Sequence, residues 1–97
     1  MRRKGGDMQL TELITVIAKA LVDNPDQVTV NEVASSQTSI IELTVAKSDL
    51  GQVIGRQGRM ANALRTILLA VSTKQRRRST LEIIEPESRD PDDHSEV

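Results

Sequence analysis

Not one of the 97 residues is Phe, Trp, Tyr or Cys, and this limits the chain more than any other feature. The core must be built from Leu, Ile, Val, Ala and a few Met. A chain of this length forms one small domain and buries a modest fraction of its surface. The absence of cysteine excludes a disulfide framework, a thiolate metal site and a Cys nucleophile. The single histidine, His94, sits among acids near the C-terminus. It lacks the convergent partners that a metal or catalytic site requires. No Ser/His/Asp or paired-carboxylate arrangement stands out either, so no catalytic residue, metal or cofactor is expected. No apolar run approaches the ~20 residues of a membrane span, and Met1 to Asp7 lack the apolar stretch of a signal peptide. The chain therefore reads as cytoplasmic, with no membrane insertion.

A net charge of −1 conceals a strong polarity. Residues 1–84 carry 12 Lys and Arg against eight Asp and Glu, whereas residues 85–97 carry Arg89 against six acids. No acid lies between Asp49 and Glu82, a stretch that holds Arg56, Arg59, Arg65, Lys74, Arg76, Arg77 and Arg78. Such a stretch points to an anionic partner. A solvated helix face followed by a basic loop accounts for it equally well.

Hydrophobic spacing then divides the chain. Residues 1–7 read as a disordered basic leader. Asp7 is placed to cap a helix whose buried stripe is Leu10, Leu13, Ile14, Ile17 and Leu21. Asp23-Asn24-Pro25-Asp26 ends it, because the residue before a proline resists the helical region and Asn and Asp favour turns. Two β-rich runs follow, about 28–33 and 40–45, joined by the polar turn Ser35-Ser36-Gln37 and expected to form an antiparallel hairpin. In the second run Ile41, Leu43 and Val45 share one face. Ser48 is placed to cap a short helix from Asp49 to about Ile54. A longer helix runs from about Gly58 to Thr73, with Ala61, Leu64, Ile67, Leu68 and Val71 as its stripe. After the basic loop 74–78 comes a last strand, with Leu81 and Ile83 facing one way. Pro86 stops it, and residues 86–97 form an acidic tail too polar to order itself. The prediction is an α+β two-layer domain, with helices on one face of a three-stranded sheet.

The most informative segment is Val53-Ile54-Gly55-Arg56-Gln57-Gly58-Arg59. A Gly-x-x-Gly turn joins two helices here. Gly55 is free to adopt the left-handed conformation that closes the first helix. Gly58 opens the second, whose first N–H groups lie at the positive end of its dipole. Together these make a phosphate seat, to which Arg56 and Arg59 add charge and Gln57 adds neutral donors. The pattern is too short for a Walker A loop and lacks the third glycine of a dinucleotide fingerprint. A ligand-free interhelical turn would use the same glycines.

Residues 51–61, Gly-Gln-Val-Ile-Gly-Arg-Gln-Gly-Arg-Met-Ala, resemble the signature of the KH domain. The order α-β-β-α-α-β resembles its type II form. The run from Ile17 to Pro25, the loop Gly55 to Arg59, and Ala63-Leu64-Arg65-Thr66 are similar to the stand-alone bacterial KH-domain RNA-binding proteins of the KhpA family. The resemblance covers roughly residues 8–85. Ala61 stands where the KH pattern usually has a larger aliphatic residue, a space Met60 is placed to fill.

The resemblance implies non-catalytic binding of single-stranded RNA. Its loop clamps a backbone of about four nucleotides, with bases laid across an aliphatic groove. Gly55 and Gly58 would shape the loop, Arg56, Gln57 and Arg59 would contact phosphate or sugar, and Val53, Ile54 and Met60 would line the groove. Ordinary core packing is the competing role for the last three. The missing aromatics argue against a sheet that binds by stacking. The resemblance further implies an RNA chaperone acting with a partner that carries KH and R3H domains, in RNA regulation linked to cell elongation and envelope homeostasis. The alternative is an adaptor whose partner contacts the RNA. Met60, Ala61, Ala63, Leu64, Ile67, Leu68, Ala70 and Val71 form a broad apolar arc whose outer edge, with Ala63 and Ala70 open to close approach, predicts a homodimer or a heterodimer with a related KH protein. Deep burial of the helix would produce the same arc. The acidic tail follows the basic loop in sequence. It either competes with phosphate for those cations or serves only as a solubilising segment.

Overall fold

A computed structural model describes residues 9–86. The proposed leader, the proposed tail beyond Pro86, Asp7 as a helix cap and His94 lie outside the described residues. The elements are α1 (Leu10–Leu21), β1 (Thr29–Ala34), β2 (Thr38–Thr44), α2 (Leu50–Ile54), α3 (Arg59–Lys74) and β3 (Arg78–Ile84), with short 3-10 turns at Pro25–Gln27, Lys47–Asp49 and Arg56–Gly58. This is the expected order. In the sheet β1-β2-β3, β1 runs antiparallel to β2 with Thr29 opposite Thr44, and β3 runs parallel to β2 with Thr38 opposite Arg78. A parallel pair needs a crossover, which α2 and α3 supply.

Side-chain alternation decides which face of the sheet the helices cover. Ile41, Leu43 and Leu81 are buried, and Ile83 and Val30 pack partly against them. Leu10, Ile14 and Ala18 of α1 and Leu64 and Leu68 of α3 close over this face. Leu13, Ile17 and Leu21 lie at the margin of that contact. The centre of the α3 stripe is displaced from the expected one. Ala61, Leu64, Leu68 and Ser72 are buried, while Ile67 remains 41% exposed. Ser72 tolerates burial because its hydroxyl donates to the Leu69 carbonyl at 3.1 Å.

Two polar clusters fasten the ends of this core. Asp49 is buried, and its carboxylate accepts the N–H groups of Asp23 and Asn24 at 3.2 and 3.0 Å and the Asn24 amide at 3.1 Å. Asp49 occupies the position before α2 but makes no side-chain cap bond there. It secures the turn after α1 instead. At the other end, Ser39 Oγ donates to Glu32 at 2.7 Å, and Arg77 donates to Ser39 at 2.6 Å and to Glu32 at 3.3 Å.

At this second end, α3 closes in a Schellman motif. Arg77 N–H reaches the Ser72 carbonyl at 2.8 Å, and Arg76 N–H reaches the Thr73 carbonyl at 2.9 Å. The left-handed residue that the motif needs is Arg76, at φ 63°, where glycine is usual. For an L side chain this conformation costs about 1–2 kcal/mol. Among the described residues, no helix is long and apolar enough to cross a membrane.

Candidate nucleic-acid interface

The Gly-x-x-Gly loop depends on backbone conformations that side chains resist. Gly55 ends α2 at φ 77°, ψ 171°, a region essentially confined to glycine. A Cβ there would lie 2.7 Å from Met60 Cβ and 2.8 Å from its nitrogen, so Gly55 also permits the close approach of α3. Its conformation is more extended than the left-handed helical cap the sequence suggested. Gly58 is left-handed at φ 76°, with open space where a Cβ would stand. Between the glycines Gln57 is left-handed too, at φ 56°. The loop thus turns the chain through three positive-φ residues in four.

Two N–H groups at the start of α3 are already spent. Gly58 donates to the Gly55 carbonyl at 3.1 Å, and Arg59 donates to the Arg56 carbonyl. An anion here therefore meets side chains more than a bare helix terminus. Arg56, Gln57 and Arg59 are exposed, and among the described residues their side chains form no hydrogen bond or ion pair. Three exposed polar heads around a glycine turn are suited to a phosphodiester, which accepts charge-assisted hydrogen bonds from several directions.

The three apolar candidates separate. Val53 is fully buried and belongs to the core, because its place on α2 faces inward. It supports the loop from beneath and offers no surface to a base. Ile54 is 39% exposed, and Met60 is half-buried against the core. These two form the apolar ground beside the loop. Ala61 is buried.

Arg65 was not singled out from the sequence as a site residue. Its Nε donates to the Leu81 carbonyl at 3.4 Å, which ties α3 to the outer strand β3. The acid-free stretch is accordingly divided in space. Arg56 and Arg59 surround the loop, Arg65 bridges to β3, and Lys74 to Arg78 lie at the opposite end of α3, about 24 Å away at ~1.5 Å per residue. β3 starts opposite Thr38 and ends with Ile84 opposite Thr44. The chain thus leaves the sheet at the end remote from the basic turn, although the tail follows that turn in sequence. Among the described residues, no group of three acids or histidines is placed to hold a metal ion.

Comparison with known proteins shows the family to which the domain belongs. A family model described as the KH domain of KhpA/KhpB matches residues 11–83. A protein of Caldanaerobacter subterraneus subsp. tengcongensis named RNA-binding protein KhpA is 56% identical over 73 residues, covering 75% of this chain and 97% of the relative. Proteins of the same name are 49% identical in Clostridium acetobutylicum over 75 residues, covering 77% and 100%, and 50% identical in Aquifex aeolicus over 76 residues, covering 78% and 96%. With the match running from the first turn of α1 to the last residues of β3, this chain belongs to the KhpA/KhpB KH-domain family.

Proposed function

We propose that this protein is a non-catalytic RNA-binding protein that clamps single-stranded RNA at residues 55–58. The observation that carries this reading is the set of exposed Arg56, Gln57 and Arg59 side chains, without hydrogen-bond or ion-pair partners among the described residues, around a turn shaped by Gly55 and Gly58. Cations and neutral donors take the sugar-phosphate backbone, and Ile54 and Met60 provide the apolar ground for bases. Relatives named as RNA-binding proteins support the same class of ligand. Such a clamp reads little sequence, because phosphate contacts position the strand without specifying it.

The same reading includes a protein partner. Ala63, Ile67 and Ala70 are exposed on the side of α3 away from Arg65, beside the half-buried Met60 and Val71. Small residues at 63 and 70 allow another helix to approach, so a second copy or a related KH protein packs on this face. A cytoplasmic RNA chaperone working with a KH/R3H-domain partner, in RNA regulation linked to cell elongation and envelope homeostasis, is the role we assign to the assembly.

Direct titration of the purified chain with single-stranded RNA tests the clamp. Salt-dependent binding by the chain alone is expected. Binding that arises only after the partner is added would favour the adaptor reading, in which the partner contacts the RNA.

A further inference from the structure

The far end of α3 holds the other concentration of positive charge. Lys74, Arg76, Arg77 and Arg78 fall within five residues, and the chain turns through them from helix into strand. Arg77 is committed to structure by its contacts with Glu32 and Ser39. Arg76 and Arg78 are exposed, and among the described residues their guanidinium groups have no hydrogen bond or ion pair. A concavity of about 450 Å³ is lined by Gln37, Thr38, Arg76, Arg77 and Arg78, none of them acidic. A neighbouring hollow of about 420 Å³ is lined in part by Glu32 and so suits an anion less well.

We propose that Arg76 and Arg78, with Gln37 and Thr38, form a second seat for the RNA sugar-phosphate backbone, so that a strand held at the Gly-x-x-Gly loop also engages the far end of α3. This rests on the clamping reading and extends its footprint. Each guanidinium offers a planar fork that matches phosphate oxygens. The Gln37 amide and the Thr38 hydroxyl provide neutral hydrogen bonds suited to ribose. With no Phe, Trp or Tyr in the chain, no such ring is present for bases to stack on here, so the contact is to backbone and indifferent to sequence. The left-handed Arg76 fits this role. Glycine would close the helix with less strain, and backbone strain of this kind collects at binding sites. Arg76 keeps a guanidinium beside that of Arg78 where glycine would leave none. A polyanion engaged at both ends of α3 also gains from the raised effective concentration of its second contact.

The test compares wild type with Arg76→Gln/Arg78→Gln, leaving the structural Arg77 intact. RNA of about four nucleotides, the length of a KH clamp, fills the loop alone, and RNA of roughly 16 nucleotides reaches further along the surface. The double variant is expected to bind the short RNA as wild type does and the long RNA about tenfold more weakly, with the log–log salt slope reduced by about 1.4 for two lost phosphate contacts. Unchanged binding of the long RNA, or equal weakening on both lengths, would overturn the seat. Should the variant fail to fold, Arg76→Gly/Arg78→Gln removes the same charges while relieving the backbone. Loss of binding to a polyglutamate peptide with RNA binding intact would assign the arginines to an acidic protein segment and overturn the proposal. A wild-type chain that binds neither RNA would overturn the clamp and the second seat together, which sets that failure apart from failure of the seat alone.

Discussion

Asn24 gives both its backbone N–H and its side-chain amide to Asp49, at 3.0 and 3.1 Å on the same carboxylate oxygen. The turn that ends α1 is thereby fixed to the residue that precedes α2, and α2 carries the loop. Burial alone would raise the pKa of Asp49. The Asn24 amide and the N–H groups of Asp23 and Asn24 outweigh burial and hold the carboxyl below its ordinary 3.8. A depressed carboxyl contributes stability that is present above its unfolded pKa and lost as pH falls through the folded one. Asp49→Ala is expected to lower the melting temperature more than Asp49→Asn, which keeps one acceptor. The gap between wild type and Asp49→Asn should be constant near neutral pH and narrow below about pH 4. Thermal melts across that range check both expectations.

The two loop glycines should respond unequally to the same change. Gly58→Ala introduces only left-handed strain, worth about 1–2 kcal/mol, since the space around it is open. Gly55→Ala adds a Cβ 2.7 Å from Met60 Cβ to a more restricted backbone. A loss of about 3 kcal/mol or more is expected from the combination. Denaturant unfolding of the two single variants measures the order. Equal losses would contradict the close approach of α2 and α3.

Much of the fold was legible because its elements are periodic. The stripe of α1, the alternation of β2 and the two glycines each carry a local signal. What the sequence concealed depends on distant or polar partners. Asp49 read only as the start of a short helix, and nothing local shows that its hydrogen-bond donors come from Asp23 and Asn24. Ser72 is buried where hydropathy favours Ile67 or Val71, because α3 settles on the sheet through residues 61, 64, 68 and 72. Val53 was indistinguishable from Ile54 as a groove residue until the orientation of α2 placed it in the core. The left-handed Arg76 had no local sign either, since glycine is the residue that announces such a turn.

Replacement of Arg76 by glycine should therefore stabilise the domain. Removing 1–2 kcal/mol of conformational strain is partly offset by the greater freedom of glycine in the unfolded chain, leaving a gain of about 0.5–1 kcal/mol. A melting temperature higher by about 2–8 °C is the expected readout for a domain of this size. No rise, or a fall, would mean that the Arg76 side chain contributes stability the backbone does not reveal.

On the outer side of α3, Ile67 is exposed enough to accept a charge without unfolding the domain. Ile67→Glu is expected to convert a dimer into a monomer at micromolar concentration while changing the melting temperature of the monomer little. Sedimentation velocity distinguishes the species. A wild-type chain that is already monomeric would leave only the related KH partner for this face.

RNA affinity of the double variant Arg56→Asp/Gln57→Asp tests the central claim most directly. Both side chains are exposed, and Asp tolerates the left-handed position of Gln57, so the fold should survive. Two carboxylates would then face phosphate where a cation and a neutral donor stood, with about 1.5–3 kcal/mol lost for each charge-assisted contact. The account predicts a folded protein with no measurable binding of single-stranded RNA. A folded variant that binds RNA as tightly as wild type would contradict it.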